Sequence, residues 1–363
     1  MTHKIVATEP SDMNAAFLRA VLRKLSLKHS LTREEAAQTA RALLHPETTD
    51  ALIAAILVAL GNKGETADEL AGVADALVER MVHVKGAEPV LDTAGTGASD
   101  AKTFNVSTAA AFVIAGAGFA VAKHGGRAAS STSGSADVVR ALGIRIPQTS
   151  SAERLASLAQ EELRQHGICF LFAPNHHPAL ARVAPIRREL GIRTTFNLVG
   201  PLVNPCLAAF RVLGVSDAAR MHAVAEALVG LGVTRAWVVR GSDGLDELTL
   251  TGKTTVLEVN GAVKEMEVTP EDFGLTRVKS CKHLRGNGAE ENAAIITSVL
   301  DGSRRDAARD LVVLNAAAAI HVRSGAALSE CTAQAVESID SGSALRKLNA
   351  LRENNTAREG ASV

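Results

Sequence analysis

Residues 90–142 read VLDTAGTGASDAKTFNVSTAAAFVIAGAGFAVAKHGGRAASSTSGSADVVRAL. Twice in this stretch, a short apolar run of strand length leads into a loop of small polar residues and then into an apolar segment with a helical pattern. The two runs predict strands at 90–93 and 119–123, and the segments that follow predict helices at 106–117 and 136–142. Alternation of strands and helices indicates an α/β sheet domain.

The alternation continues downstream but is absent near the start of the chain. Further strands are predicted at 168–172, 211–215, 236–240 and 254–259, and further helices at 152–166, 218–231 and 306–324. Residues 13–85 contain helical patterns only. The sequence therefore predicts an α/β fold with a small N-terminal all-helical domain and a larger α/β domain, whose central, mostly parallel sheet is flanked by helices.

We place the first domain at 1–86 and the second at 87–173 and 193–363. We expect the segment 174–192, where prolines interrupt a helical pattern, to pack back onto the N-terminal helices.

Two kinds of local pattern support the helical domain. Thr32 with Glu35, and Thr66 with Glu69, have the spacing of a capping box at a helix N-terminus. The segment TTDALIAAILVALG at 48–61 is apolar almost all round, which is typical of a buried helix.

The composition is that of an ordinary globular protein and excludes broad electrostatic binding. Hydrophobic residues make up 47% of the 363 residues, and 39 Lys and Arg balance 39 Asp and Glu. A neutral chain is a poor ligand for nucleic acid or anionic membranes, so any anion site has to be local. No apolar run approaches the roughly 18 residues of a membrane span, and the four cysteines form no CxxC pair. We therefore expect a cytoplasmic protein with no nucleic-acid or membrane partner.

The first candidate anion site is the loop that follows the strand at 90–93. Glycines at 95 and 97 allow a phosphate to approach the backbone, and the following helix offers unpaired N–H groups at its start. Hydroxyl groups of Thr103, Ser107 and Thr108 at that point are suited to hold a phosphate or to help ligate its metal. The loop is not a P-loop, because no GK[ST] follows. An ordinary connection between a strand and a helix would look the same in isolation.

The second candidate is KHGGRAASSTSGSAD at 123–137, which combines hydroxyl groups, bare backbone and positive charge. It also lies between a strand and a helix. Two successive loops of this kind can converge on one crevice at the carboxyl edge of a sheet. Lys123 and Arg127 add positive charge, so the pair of loops predicts a polyanion site.

Adjacent carboxylates follow a later strand. In AWVVRGSDGLDELTL at 236–250, a Gly/Asp turn precedes Asp246 and Glu247. Carboxylate oxygens suit Mg²⁺, which is usually shared between the protein and substrate phosphates. Acidic residues on a solvated turn are the alternative interpretation of this motif alone.

A histidine and an arginine lie ten residues apart in the proline-interrupted helical segment. His177 and Arg187 are both candidates to face one cleft, where Arg187 could bind a carboxylate through two hydrogen bonds. In isolation, a structural histidine and a solvated arginine explain the same residues.

Together these stretches resemble the anthranilate phosphoribosyltransferases of tryptophan biosynthesis. The most specific matches are KHG-x-R-x-x-SS-x-SGSAD from residue 123 and RRELGIRT-x-FNL-x-GPL-x-NP from residue 187; LTREEA and NKGETADELAG also match. The resemblance covers residues 15–345. It implies a homodimer, with an active site between the helical and α/β domains. It also implies transfer of phosphoribose from phosphoribosyl diphosphate to the amine of anthranilate, with release of diphosphate and with Mg²⁺ as the cofactor.

The resemblance also implies roles for individual residues. Those placed around phosphoribosyl diphosphate are Gly95, Ala98, Ser99, Thr103, Asn105, Val106, Ser107, Thr108, Lys123, His124, Gly125, Gly126, Arg127, Ala128, Ala129, Ser130, Ser131 and Ser135. Those placed on the anthranilate side are Gly95, Gly126, His124, His177 and Arg187, with Arg187 facing the carboxylate. The implied Mg²⁺ ligands are Ser107, Asp246 and Glu247.

The chain departs from the family pattern at two places. The first loop reads GTGASDA where the family usually has GTGGDG, so that Ala98 and Ser99 replace Gly and Asp. The second loop reads KHGGR in place of KHGNR, and Gly126 lacks the side-chain amide that the family places at the acceptor. Loss of one polar contact to a ligand costs about 1 kcal/mol, which weakens binding without abolishing it.

Three alternatives follow from these departures and from the shared architecture. The acceptor could be a different amino-aromatic compound, as Gly126 suggests. A pyrimidine nucleoside phosphorylase would share the fold, but the complete block at 187–205 argues against it. A non-catalytic relative that binds nucleic acid would need a basic surface, which the net charge of +0 disfavours.

Overall fold

The computed structural model describes residues 10–85, 89–97, 103–126 and 134–357. Within these residues the strands are β1 (Leu91–Gly95), β2 (Val121–Gly125), β3 (Ile168–Phe172), β4 (Phe210–Gly214), β5 (Arg235–Gly241), β6 (Thr254–Val259) and β7 (Val263–Val268). The α-helices are α1 (Pro10–Ser26), α2 (Arg33–Leu43), α3 (Asp50–Lys63), α4 (Ala67–Val78), α5 (Val106–Gly116), α6 (Ser135–Ala141), α7 (Ala152–His166), α8 (Ala173–His176), α9 (Ala184–Leu190), α10 (Thr195–Val199), α11 (Met221–Gly230), α12 (Ala289–Leu300), α13 (Ala307–Ser324), α14 (Leu328–Asp340) and α15 (Ser343–Ala357). Short 3-10 helices cover Pro178–Arg182, Gly200–Leu202, Ala218–Arg220, Pro270–Phe273 and Lys282–Leu284.

The strands form one seven-stranded sheet in the order β3-β2-β1-β4-β5-β6-β7. Neighbours from β3 to β5 are parallel, whereas β6 and β7 are antiparallel to the strands beside them. The predicted fold class, a helical region followed by a mostly parallel sheet flanked by helices, is confirmed.

Every predicted strand is present, with bounds shifted by at most two residues. Strand β7 was not predicted, because three of its six residues, VKEMEV, are charged. An Asn260-Gly261 pair between two runs that favour strands is a hairpin signal that would have revealed it. Gly261 has a φ of +73°, as such a turn requires.

Both predicted capping boxes are present in the N-terminal helices. At α2, Thr32 Oγ1 accepts a hydrogen bond from the Glu35 N–H, and Glu35 Oε2 accepts one from the Thr32 N–H. Thr66 and Glu69 make the same reciprocal pair at α4. Each box satisfies donors that a helix N-terminus leaves unpaired, so the sequence alone positions the starts of these helices.

The prediction that α3 is buried all round is wrong. Ile53, Ile56, Leu57 and Leu60 are buried, but the opposite face of α3 is half-exposed. That face carries mainly small and β-branched apolar residues, Ala54, Ala55, Val58 and Ala59, with Asn62 near the end of the helix. An apolar face left open in a single chain is typical of a surface that is covered by another molecule.

The sheet separates two hydrophobic cores. On one face, Val212, Trp237 and Val256 pack against α5 and helices α12–α15. On the other face, alternate residues such as Leu213 and Val238 pack with α1–α4 and α9–α11. This alternation follows from the two-residue period of a strand. The second core therefore joins the N-terminal helices to the sheet.

Candidate active site

The candidate site lies at the carboxyl edge of the parallel strands. The chain leaves β1 toward β2 and β3 on one side, and later returns to place β4 on the other side. The two sides of β1 therefore diverge at a topological switch point, where open α/β sheets bind ligands. The GTG turn, the start of the second loop and the acidic turn all follow carboxyl ends of strands β1, β2 and β5.

The acidic turn is joined to the first loop by hydrogen bonds. Asp246 Oδ2 accepts from the Gly97 N–H at 3.0 Å. Glu247 accepts from the Ser107 N–H and from Thr103 Oγ1, each at 3.3 Å. The structure thus brings together residues that are about 140 positions apart in the chain, as the interpretation of a shared phosphate and metal site requires.

Close approach of the backbone explains two glycines in this region. A Cβ on Gly214 would lie 1.6 Å from the Asp246 carbonyl oxygen, and one on Gly95 would lie 2.8 Å from Asp246 Oδ2. Any larger residue at Gly214 would displace the acidic turn. These glycines let Asp246 pack directly over the ends of β1 and β4.

The two carboxyl groups lie in surroundings that disfavour their charge. Burial, followed by repulsion from Asp246, raises the pKa of Glu247 to about 8. Burial also raises the pKa of Asp246. A divalent cation would reverse both effects, because it favours the ionised carboxylates. Two carboxylates and the hydroxyl of the adjacent Ser107 make an oxygen donor set whose chemistry fits Mg²⁺.

Asn315, which the sequence analysis did not single out, holds the acidic turn in place. It lies on α13, where its Oδ1 accepts from the Leu248 N–H at 3.0 Å and its Nδ2 donates to the Leu248 carbonyl at 3.1 Å. Leu248 follows Glu247 directly, so the amide fixes the backbone next to the carboxylate. In the sequence, Asn315 is the single polar residue of the apolar run LVVLNAAAAI, and this isolated position could have indicated that it has a buried polar partner.

At the start of the second loop, the structure places Lys123 and His124 in the interior. Lys123 is 5% exposed, and its Nζ donates to the Thr93 carbonyl of β1. His124 is 6% exposed, and its Nε2 has no hydrogen-bond partner among the described residues. Burial lowers the pKa of both side chains.

The glycines that follow differ in the space around them. A Cβ on Gly125 would lie 2.1 Å from Ser135 Oγ, so a larger residue there would force the Ser135 hydroxyl to move. Among the described residues, a Cβ on Gly126 would meet only the Ala173 Cβ, at an ordinary contact distance of 3.7 Å. The Gly126 carbonyl accepts from Ser135 Oγ at 3.4 Å and from the Ala136 N–H at 3.1 Å, which ties the loop to the start of α6.

His177 lies against His124 in the buried wall of the crevice. Their ring centroids are 5.1 Å apart, with the planes at 53°. His177 Nε2 donates to the Val203 carbonyl at 3.0 Å, so Nδ1 carries the lone pair, and it has no partner among the described residues. Burial lowers the pKa of His177 to about 4, which keeps the ring neutral near pH 7.

Arg187 lies on α9 and is held by residues of the segment that follows. Its Nε donates to Thr194 Oγ1 at 3.1 Å and its Nη2 to Asn197 Oδ1 at 3.2 Å. The guanidinium is 5.6 Å from the Phe196 ring centroid. Burial lowers the Arg187 pKa, and within the described ranges no carboxylate forms an ion pair with it. A half-buried guanidinium without an acidic partner is suited to bind an external anion. Thr194 and Asn197 were not identified as site residues from the sequence.

Three predicted residues of the first loop lie at the start of α5. Asn105 Oδ1 accepts from Asn292 Nδ2 at 3.0 Å. The side chains of Val106 and Thr108 are buried, and their N–H groups donate to the carbonyls of Phe104 and Asn105. Thr108 Oγ1 has no partner among the described residues. The remaining predicted residues, Ala98, Ser99, Arg127, Ala128, Ala129, Ser130 and Ser131, lie outside the described residues.

Comparison with known proteins identifies the family. A glycosyl transferase family α/β domain matches residues 87–345, and the helical bundle domain of the same family matches residues 19–81. An anthranilate phosphoribosyltransferase of Chloroflexus aggregans is 46% identical over 92% of this chain and 96% of its own length. The chain belongs to the anthranilate phosphoribosyltransferase family.

Solved structures of anthranilate phosphoribosyltransferases share the fold. The Thermus thermophilus protein superposes with a TM-score of 0.83 at 41% identity, over 92% of this chain and 98% of that one. The Saccharomyces cerevisiae protein in complex with PRPP and Mg has a TM-score of 0.85 at 30% identity, over 94% of this chain and 98% of that one. The yeast protein has also been solved in complex with 4-fluoroanthranilate, at 28% identity and a TM-score of 0.83 over the same shares of both chains.

Proposed function

We propose that this protein transfers the phosphoribosyl group of phosphoribosyl diphosphate to the amine of anthranilate and releases diphosphate, as a step of tryptophan biosynthesis. The observation that carries this proposal is the pair of links from Asp246 to the Gly97 N–H and from Glu247 to the Ser107 N–H. They join a glycine-rich anion loop to two carboxylates at the carboxyl edge of the sheet. A substrate that carries a diphosphate chelated to a metal needs both parts.

Ser107, Asp246 and Glu247 would hold Mg²⁺ together with oxygens of the diphosphate. The ion would supply positive charge that stabilises the departing diphosphate. The chain's own contribution is to present the two carboxylates in a buried position, fixed by Thr103 and by Asn315 through Leu248. Removal of divalent cations should therefore abolish transfer.

The site for phosphoribosyl diphosphate would combine the two loops. Gly95, Thr103 and Asn105 to Thr108 would border it on the β1 side, and Lys123 to Gly126 with Ser135 on the β2 side. Ala98, Ser99 and Arg127 to Ser131 would complete it. Lys123 and Arg127 would balance part of the substrate's negative charge.

Arg187 would bind the carboxylate of anthranilate, and the neutral rings of His124 and His177 would line the acceptor channel with Gly126 and Gly95. The aromatic amine is uncharged and nucleophilic at pH 7. Its nitrogen attacks the anomeric carbon of the ribose, the bond from that carbon to the diphosphate oxygen breaks, and the nitrogen then loses a proton. No strong general base is needed, so catalysis would rest on positioning and on stabilisation of the charges that develop.

We further propose a homodimer formed through the apolar face of α1 and α3. Leu22, Leu25, Ala54, Ala55 and Val58 line an open groove of about 540 Å³ on this face. Leu27, just beyond α1, is 69% exposed. An isologous contact between two such faces would bury a surface that is costly to leave in water.

We also propose a cytoplasmic location and a division of the chain into two domains. All four cysteines are free, which supports the cytoplasm as the compartment. Within the described residues no helix is long and apolar enough to cross a membrane. We propose boundaries at 1–86 for the helical domain and at 87–173 with 193–363 for the α/β domain. Val183 and Ile186, from the segment 174–192, pack in the core that contains α3.

The direct test incubates the protein with phosphoribosyl diphosphate, Mg²⁺ and anthranilate and follows the loss of anthranilate fluorescence. We expect turnover that disappears with EDTA and returns with Mg²⁺. A panel of other aminobenzoates tests whether Gly126 permits a different acceptor, and phosphorolysis of uridine and thymidine tests the nucleoside phosphorylase alternative. Folded protein that turns over none of the aromatic amines would contradict the proposed function.

A further inference from the structure

Strands β1 and β2 are neighbours in the sheet, yet they separate almost at once. Their register contains a single pair, Leu91 with Val121. In contrast, β1 pairs with β4, and β2 with β3, over five positions each. The two strands that end in the anion loops are therefore not held together by a backbone ladder.

Polar side chains bridge the gap that the missing ladder leaves. Asp92 Oδ1 accepts from the His124 N–H at 3.2 Å, and Asp92 Oδ2 accepts from Asn204 Nδ2 at 2.8 Å. Asn204 Nδ2 also donates to the Ala122 carbonyl at 2.8 Å. The groups of β2 that face β1, the Ala122 carbonyl and the His124 N–H, are thus satisfied by Asn204 and Asp92. The distance between the strands is set by this pair of side chains.

Asn204 is itself held rigidly from the side of β4. Its Oδ1 accepts from the Cys206 N–H at 2.8 Å. Arg211, on β4, donates to the carbonyls of Pro201, Leu202 and Ala208 and so encloses the segment that carries Asn204. Asn204 is completely buried, and a side chain with all these partners has one orientation.

Burial of the charges of Asp92, Lys123 and Arg211 is energetically unfavourable. Asp92 is 1% exposed, and the two cations that attract it, Lys123 and Arg211, are 5% exposed each. Burial of paired charges costs several kcal/mol per ion, and apolar residues of similar size would often give a more stable protein. Asp92 instead accepts from the backbone of His124, and Lys123, which attracts its charge, donates to the carbonyl of Thr93. Both are within two residues of a loop that faces the crevice.

We propose that Asp92 and Asn204 form a positioning pair for the transfer reaction. The pair keeps β1 and β2 apart at a defined distance, and so places the turn after Gly95 and the turn after His124 relative to each other. This inference rests on the proposed function, because these turns would hold the diphosphate on one side and the acceptor on the other. Neither Asp92 nor Asn204 would touch substrate.

The test is a double-mutant cycle with Asp92→Asn, Asn204→Asp and the double variant that exchanges the two groups. We expect Asp92→Asn to lower kcat about 10- to 100-fold, because misplacement of reacting groups by about 1 Å has effects of that size. The KM for both substrates should rise as well, since both turns move. A smaller folded fraction would lower kcat alone. In the double variant an amide at position 92 again faces a carboxylate at position 204, but the Ala122 carbonyl loses its donor. The double variant should therefore be more active than Asn204→Asp, although less active than the wild type.

Calorimetry of phosphoribosyl diphosphate with Mg²⁺ provides a second readout that needs no turnover. Its dissociation constant should rise about 10-fold in Asp92→Asn. Ser338→Ala is the matched control: Ser338 is also buried and donates one hydrogen bond, to the Val113 carbonyl, far from both turns. It should keep wild-type kcat, KM and affinity. If Asp92→Asn is too unstable to be measured, Asn204→Ser takes its place in the calorimetry, and the same rise in the dissociation constant is expected.

Two results would overturn the positioning role. One is an Asp92→Asn protein with kcat, both KM values and affinity within threefold of wild type. The other is a double variant that is no better than the worse single variant in activity and affinity. Lack of turnover by the wild-type protein, with affinity for phosphoribosyl diphosphate still dependent on Asp92, would contradict the proposed function and leave the positioning pair supported.

Discussion

Gly126 is the position where the crevice wall has room for a side chain. Its φ is outside the left-handed region, and within the part of the chain that the structure describes a Cβ there would touch only Ala173, at 3.7 Å. We expect Gly126→Asn to fold normally and to lower the KM for anthranilate about fivefold, since one added polar contact contributes about 1 kcal/mol. Steady-state kinetics over an acceptor panel would measure this. Gly125→Ala is the matched comparison and should impair the loop, because its Cβ would lie 2.1 Å from Ser135 Oγ. A higher KM for anthranilate in Gly126→Asn would contradict the proposed place of the acceptor.

Arg187 is the side chain whose effect should depend on the acceptor's carboxylate. Arg187→Gln should raise the KM for anthranilate 10- to 100-fold, because a charge-assisted bidentate contact contributes about 1.5–3 kcal/mol. The affinity for phosphoribosyl diphosphate should be unchanged by calorimetry. Arg188→Gln removes the neighbouring arginine, which is exposed, and should leave both constants unaltered. Equal losses in the two variants would show that Arg187 does not bind the carboxylate.

At the level of elements, the acidic turn depends on a contact from helix α13. Asn315→Leu would leave the Leu248 N–H and carbonyl without partners and would free the backbone beside Glu247. Residues that orient metal ligands typically change affinity 10- to 100-fold, so we expect weaker Mg²⁺ binding of about that size. Binding of Mn²⁺ followed by electron paramagnetic resonance measures this without turnover. Ser338→Ala again serves as the control, and an unchanged Mn²⁺ affinity in Asn315→Leu would exclude this role.

The elements also show how far a sequence can predict this fold and site. Strand–helix alternation and two capping boxes predicted most strands and helix starts, because local patterns determine them. The contacts of Asn315 with Leu248, and of Asp92 with His124 and Asn204, could not be predicted, since they join segments 32 to 112 positions apart. A single polar residue in an apolar run indicates that some partner exists, but only the packing of helix on sheet supplies that partner.

For the whole molecule, the buried histidines predict a loss of stability in acid. Burial lowers the pKa of His177 to about 4, whereas the unfolded chain has the ordinary value of about 6.5. The folded protein therefore binds fewer protons between these values, and the contribution to stability is complete above pH 6.5 and lost as the pH falls to about 4. At pH 5 the loss for this ring is on the order of 2 kcal/mol. The lowered pKa values of His124 and His176 add to it.

Urea unfolding at several pH values would isolate this effect. The Glu247 carboxyl has the opposite sign, because its folded pKa of about 8 makes stability fall as the pH rises from about 4.5 to 8. The informative comparison is therefore between wild type and His177→Gln at each pH, where Gln keeps a donor for the Val203 carbonyl. We expect a shallower acid limb in the variant. Parallel curves would show that His177 titrates normally.

The exposed face of α3 makes the assembly of the whole molecule testable. Val58 lies in the groove between α1 and α3, while Ile53, Ile56 and Leu57 face the core of the same protomer. In an isologous interface both protomers would bury a carboxylate at position 58 without a cationic partner, which costs several kcal/mol. Val58→Asp should therefore be a folded monomer at micromolar concentration in sedimentation velocity, whereas Val58→Ala should sediment as the wild-type dimer. Because none of the residues proposed to bind phosphoribosyl diphosphate lines this groove, the monomer should still bind that substrate. A Val58→Asp protein that sediments as a dimer would exclude this face as the interface.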